Sequence, residues 1–196
     1  MAQGREATQP VDEGDLDTAL RRARAGDEAG FRTLWRALQP MLLRFLRVYA
    51  GDAPEDIAAD TWLAVVKDLH QFSGDAADFR RWLFTVARHR AIDAGRARAL
   101  RPATPVGDTR DLPTAATAPS AEHQALDRMS TADALALVRT LPPAQADLVA
   151  LRVLADLDAA TVAEIVGSTA GAVRVAVHRA LRSLAARPTL LPLEAL

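Results

Sequence analysis

The chain has 196 residues, 49% of them hydrophobic, with 24 basic against 25 acidic side chains. That is ordinary for a globular protein and long enough for one medium domain or two small ones. The absence of cysteine excludes disulfide frameworks, thiolate zinc sites and redox thiols. No apolar run approaches the ~20 residues of a membrane span, and the N-terminus lacks a signal-like apolar core, so a cytoplasmic chain without membrane insertion is expected.

Charge is distributed unevenly. The first 20 residues are acidic, through Glu6, Asp12, Glu13, Asp15 and Asp17. Between 80 and 101 stand Arg80, Arg81, Arg88, Arg90, Arg96, Arg98 and Arg101 against Asp93 alone, and from Gly167 to Leu193 every charge is basic. Two basic stretches suggest two footprints on one polyanion. Lys67 is the only lysine. Arginine suits bidentate recognition of phosphate and guanine, although a GC-rich genome would produce the same bias.

Helical periodicity dominates, and an all-α fold of two small helical domains joined by a flexible linker is expected. Residues 1–14 read as disordered. A helix from Asp15 to Ala25 stops at Gly26. A second begins near Asp27 and carries Phe31, Leu34, Trp35 and Leu38, with a break or kink at Pro40; Leu42, Leu43, Phe45, Leu46 and Tyr49 continue to Gly51. Pro54 opens a third helix, with Glu55 and Asp56 complementing its dipole. It presents Ile57, Thr61, Trp62, Val65, Val66 and Leu69 toward a core. Phe72–Asp78 reads as a loop, and Phe79 to Leu100 as a long helix with Trp82, Leu83, Val86 and Ile92 inside.

The first domain is thus placed at 15–101. The stretch 102–120, rich in proline and small polar residues, reads as a linker. The second domain is placed at 121–188, before a short tail, 189–196. It contains helical pattern from Ala121 to Arg139, a turn at Leu141-Pro-Pro, a helix about Ala144–Leu154, and a helix-turn-helix over Thr161–Leu184. There Gly167 makes the turn, and Val173, Val177, Leu181 and Leu184 form one buried face. Arg174, Val175, His178, Arg179 and Arg182 are left outside. The second helix of such a motif enters the major groove; a helical hairpin with a solvated arginine face is the alternative.

Together the blocks resemble extracytoplasmic-function (ECF) sigma factors of bacterial RNA polymerase. GDEAGF at 26–31 and LWRALQPMLLRFL at 34–46 are similar to the opening of region two, and PEDIAADTW at 54–62 to its polymerase-binding segment. FRRWLFTVARHRAIDAGR at 79–96 resembles the −10 recognition helix. LPPAQADLVALRV at 141–153 with AEIVGSTAGAVRVAVHRALRSL at 163–184 resembles region four, which reads the −35 element. The resemblance implies that Asp56, Asp60 and Val66 face the β′ clamp helices; by residue type alone, Asp56 could serve only the helix dipole and Asp60 only solvent. It implies that the loop with Ser73, Gly74 and Asp75 holds an unstacked −10 base. Arg80 and Arg81 would bind phosphate, and Arg88, His89, Ile92 and Asp93 would lie against −10 DNA. Arg174, Val175, His178, Arg179 and Arg182 fall on the −35 helix.

The implied partners are core polymerase, through β′ and β, promoter DNA and an anti-sigma factor. No fused regulatory domain, cofactor, metal or catalytic residue is expected, and no enzyme activity. Position 89 is usually asparagine in the family, and Val175 and Ala176 stand where serine and arginine are frequent, so base preference is not carried over. A helix-turn-helix regulator acting without core polymerase is the alternative function. It accounts for 161–184 but not for 54–96.

Overall fold

The computed structural model describes residues 13–50, 53–100 and 132–186. The expectations for the N-terminus before 13, the linker at 102–120, the start of the second domain at 121–131 and the tail lie outside these residues.

Regular structure among the described residues is helical throughout: α1 Glu13–Arg24, α2 Glu28–Ala50, α3 Pro54–Asp68, α4 Ala76–Leu100, α5 132–139, α6 Pro143–Val149, α7 Ala159–Val166 and α8 Ala170–Ala185. A single 3-10 turn, Leu69–Gln71, follows α3, and a π turn, Ala150–Leu154, extends α6.

α1 and α2 turn about Gly26, whose φ of 85° lies in the left-handed region. They then pack so closely that a Cβ on Gly30 would stand 2.7 Å from the Ala23 backbone nitrogen and 2.8 Å from the Ala19 oxygen. α2 runs unbroken through Pro40, where the sequence pointed to a break. Leu34, Leu38, Leu42, Phe45 and Leu46 remain in helical phase on both sides and are almost wholly buried. A proline inside a helix costs about 3 kcal/mol. Burial of those side chains contributes about 1.5–3 kcal/mol each, and the proline itself sits on the exposed side. Burial wins.

α3 and α4 close the bundle. Ile57, Ala58, Trp62 and Val65 face Phe79, Leu83, Phe84 and Ala87 in one apolar cluster. Thr61 is fully buried, with its hydroxyl donating to the Ile57 carbonyl at 2.7 Å. Trp62 Nε1 donates to Gln39 Oε1 at 2.7 Å, satisfying the indole where it meets α2. Val66, assigned by periodicity to this core, is half exposed instead; it follows Val65 by 100° around the helix and has turned off the buried face.

The apolar cluster continues past α4. Ala150, Leu151, Ala155, Leu157, Val162, Ala163, Val173 and Val177 belong to the same cluster as Leu42 and Phe84. A smaller cluster of Val138, Leu141, Ala146, Val149 and Ala180 holds α5, α6 and α8 together, and Val48 of α2 touches both. The segments 13–100 and 132–186 therefore pack on one another directly.

Candidate polymerase and nucleic-acid interfaces

Three exposed or charge-bearing surfaces carry the residues singled out by sequence. The first is the outer face of α3. Asp56 and Asp60 are exposed there, and Val66 lies beside them. Leu63, which sequence reading passed over, is the most exposed large apolar side chain among the described residues, at 70%. The spacing 56, 60, 63 places it in one row with the two carboxylates. An apolar pair with an acidic rim suits docking of a protein.

The second surface is the 72–75 loop with α4. Phe72 stacks on Trp82 at 5.1 Å, and both contact the buried Phe79 ring. These aromatics fix the base of the loop. Ser73, Gly74 and Asp75 are exposed at its tip. Gly74 has a φ of 141°, and a Cβ there would come within 2.8 Å of the Asp78 side chain. The helix begins at Ala76, earlier than sequence placed it, because Asp75 caps it: Asp75 Oδ1 accepts from the Asp78 backbone nitrogen at 2.9 Å. Asp17 of α1 also reaches the loop, accepting from Ala76 N at 2.6 Å. The Asp75 carboxylate is thus committed to the helix cap, and its backbone is engaged too, the nitrogen donating to Asp78 Oδ2 and the carbonyl accepting from Phe79 N; the exposed Ser73 and Gly74 make up the rest of the tip.

Along α4 the predicted DNA-facing residues divide into two sets. His89 and Asp93 are exposed, with Asp93 3.5 Å from Arg96, and Ile92 is half-buried. Arg80, Arg81 and Arg88 instead turn toward the C-terminal segment. Arg88 makes a bidentate pair with Asp147 of α6, through Nε at 3.0 Å and Nη2 at 2.7 Å, with both side chains largely buried. Tyr49 of α2 donates its hydroxyl to the same carboxylate. Burial, and then the adjacent Asp147 charge, push the Tyr49 phenol far above its usual range; the hydrogen bonds that Arg88 donates to Asp147 raise the guanidinium further. Arg81 bridges Asp78 at 3.1 Å and Glu164 of α7 at 2.9 Å. Arg80, only 17% exposed, lies 3.6 Å from Asp156, and its Nε has no hydrogen-bond partner among the described residues. No sequence pattern signals the pairings with Asp147, Asp156 and Glu164, which lie far away in the chain.

The third surface is the helix-turn-helix. Asp158 caps α7 by accepting from Thr161 N at 2.7 Å, a bond that holds its carboxyl below the usual range. Gly167, at φ 68° and ψ 43°, ends α7 in the left-handed conformation, and Thr169 caps α8 through the Ala172 nitrogen at 3.2 Å. The two helices meet at 100°, within the range of DNA-reading helix-turn-helix motifs. Val173, Val177 and Ala180 form the buried face of α8. Leu181, expected on that face, is 42% exposed, because the small Ala180 is the residue pressed against α6. Arg174, Val175, His178, Arg179 and Arg182 are all exposed, and none of these arginines has an ion pair among the described residues.

Residues 34–101 match the Sigma-70 region 2 family model, and residues 131–184 match the Sigma-70, region 4 model. The ECF RNA polymerase sigma factor SigD of Mycobacterium tuberculosis is 32% identical over 175 residues, covering 86% of this chain and 82% of SigD. The chain belongs to the ECF sigma factors. ShbA of Streptomyces griseus, another ECF RNA polymerase sigma factor, is 33% identical over 87% of this chain and 94% of its own length. BldN of Streptomyces coelicolor is 30% identical over 85% of this chain and 63% of its own. The fold is also that of CnrH, solved in complex with the cytosolic domain of CnrY, at a TM-score of 0.61 and 19% identity over 88% of this chain and 96% of that one. As an ECF sigma factor the protein works with core RNA polymerase and promoter DNA to direct promoter-specific transcription initiation. That family is not a class of enzymes. Among the described residues no single helix is long and apolar enough to cross a membrane.

Proposed function

We propose that the three surfaces divide the work of initiation among named residues. The outer face of α3 docks on the β′ clamp helices through Asp56, Asp60 and Val66, with Leu63 as an additional apolar anchor. The 73–75 loop receives an unstacked −10 base through Ser73 and the backbone around Gly74 and Asp75. Arg80, Arg81, Arg88, His89, Ile92 and Asp93 of α4 lie along −10 DNA. α8 enters the major groove at the −35 element, with Arg174, Val175, His178, Arg179 and Arg182 on its groove face. These roles belong to two domains, 15–101 and 121–188, which separate on the promoter while the 102–120 linker passes through polymerase. The protein acts in the cytoplasm, and a separate anti-sigma factor restrains it.

The observation that carries the reading is α8 itself: a capped helix set at 100° to its partner, with an exposed arginine face whose cations have no ion pair among the described residues. Holoenzyme titrated against promoter DNA at several salt concentrations tests it. Arg174→Ala is expected to lose about 1–3 kcal/mol and relax preference at one −35 position. Arg179→Ala, a turn later, is expected to weaken all sequences equally and reduce the salt slope by about one unit. If both variants keep wild-type affinity and salt slope, α8 does not read DNA.

A further inference from the structure

Asp17 stands in α1, ahead of residue 34 where the region 2 match begins, and sequence shows it only as one acid among several in the first 20 residues. Its carboxylate nevertheless reaches across to the start of α4, 59 residues away, at the edge of the 73–75 loop. We infer that Asp17 is a positioning residue for recognition of the −10 base: it fixes the loop in the shape that receives the base, without touching DNA itself. The inference rests on the reading of that loop as the base holder.

Three observations support it. Ala76 N is the first N–H of α4, and the residue is only 6% exposed, so water does not readily replace a lost partner there. Asp17 Oδ1 accepts from it at 2.6 Å. The carboxylate is also firmly placed. Leu16 and Leu20, its neighbours on α1, share the apolar cluster with Leu69 before the loop and with Ala76 and Phe79 after it. The loop's own bonds, finally, are local to α4. Asp75 Oδ1 accepts from Asp78 N at 2.9 Å while Asp78 Oδ2 accepts from Asp75 N at 3.5 Å, a reciprocal capping box. Asp78 also lies against Gly74, where a Cβ would meet it at 2.8 Å. The Asp17 bond adds what these lack, an anchor on a different helix.

Two consequences follow for the ligand. The N-terminus of α4, where a helix otherwise favours a phosphate, is taken up by the carboxylates of Asp17, Asp75 and Asp78, which leaves the loop to a base. A base entering a loop already held in place is also spared the cost of ordering it. Without Asp17, Ala76 N loses its partner, and the 73–75 segment must be ordered by the base itself.

The test measures holoenzyme binding to a fork-junction promoter fragment, cut from a start site mapped by run-off transcription, with one abasic residue walked across the −10 element. The wild-type protein should lose roughly tenfold in affinity where the abasic residue replaces the held base. Gly74→Ala, whose Cβ would press on Asp78, marks that position by removing the loss. Asp17→Ala should weaken the intact probe by about two- to tenfold, the worth of one hydrogen bond, yet bind the probe abasic at that position as wild type does. Asp17→Asn, whose amide oxygen still accepts, should restore most of the affinity. Helical content and retention by core polymerase should be those of wild type in both variants. Equal weakening of intact and abasic probes by Asp17→Ala, or a loss of helicity or core retention, would reduce Asp17 to a general prop of the fold. An abasic penalty left whole by Asp17→Ala would remove it from the loop. Either result overturns the inference and leaves the loop reading standing. A wild-type scan with no costly position, or a penalty that Gly74→Ala leaves whole, would overturn the loop reading itself and the inference with it.

Discussion

Gly30→Ala sets two effects of opposite sign against each other. Position 30 lies inside α2, where alanine is favoured over glycine by about 1 kcal/mol, so propensity alone forecasts stabilisation. The added Cβ, however, would stand 2.7 Å from Ala23 N, 2.7 Å from Arg22 Cβ and 2.8 Å from Ala19 O. Two of those atoms are backbone, so no side-chain rotation relieves them, and α1 must move away from α2. Such overpacking costs typically 1–3 kcal/mol, and movement of α1 also loosens the buried Leu16 and Leu20. The clash should win, leaving a net loss of about 1–2 kcal/mol and a melting temperature lower by ~2–8 °C for a chain of this size. Urea unfolding followed by circular dichroism measures it, with Gly26 left unchanged so that the turn is not disturbed. A Gly30→Ala protein more stable than wild type would refute the close approach of α1 and α2.

Gly167→Ala should cost about 1 kcal/mol from backbone strain alone, since its φ is 68° and a Cβ would meet nothing within 4 Å; a neutral change in thermal unfolding would contradict the left-handed cap. Asp56→Arg with Asp60→Arg should abolish retention of the protein by core polymerase while changing stability by under ~0.5 kcal/mol per site; undiminished retention would remove α3 from the interface. Tyr49 is the single tyrosine, so the rise in absorbance at 295 nm on phenol ionisation reports it alone, over the pH-independent contribution of the 3 tryptophans. Its folded pKa is raised, so the stability it contributes is complete below about pH 10 and is lost as pH climbs above that value. Phenolate should appear only with unfolding, and ionisation near pH 10 in the native protein would contradict the buried contact with Asp147. Limited proteolysis should cut first between Arg101 and Ala121; first cleavage within 54–96 would place the boundary elsewhere.

Local signals carried most of the helical architecture. Gly26 and Gly167 mark turns that demand left-handed backbone, Pro54 opens α3, and the repeats Leu34–Leu38–Leu42 and Val173–Val177 define buried faces, each readable within a few residues. What escaped depended on partners distant in the chain. Pro40 breaks nothing because α1, α3 and α4 bury the stripe beside it. Leu181 and Val66 have the right residue type for a core, but a neighbour on the same helix already fills it. Leu63 was missed because an exposed leucine has no periodic signature. The arginines of α4 were legible as cations with a use. Their present partners, 59 and 83 residues away in sequence for Arg88 and Arg81, were not.

Run-off transcription with purified core polymerase on a library of genomic fragments tests the central claim most directly. The wild-type protein is expected to produce discrete start sites sharing −10 and −35 elements, none of them made by core alone, and Arg174→Ala is expected to broaden the base at one −35 position. Start sites identical to those of core alone, or binding to the same DNA equally well without polymerase, would contradict the account and favour a helix-turn-helix regulator that acts independently of polymerase.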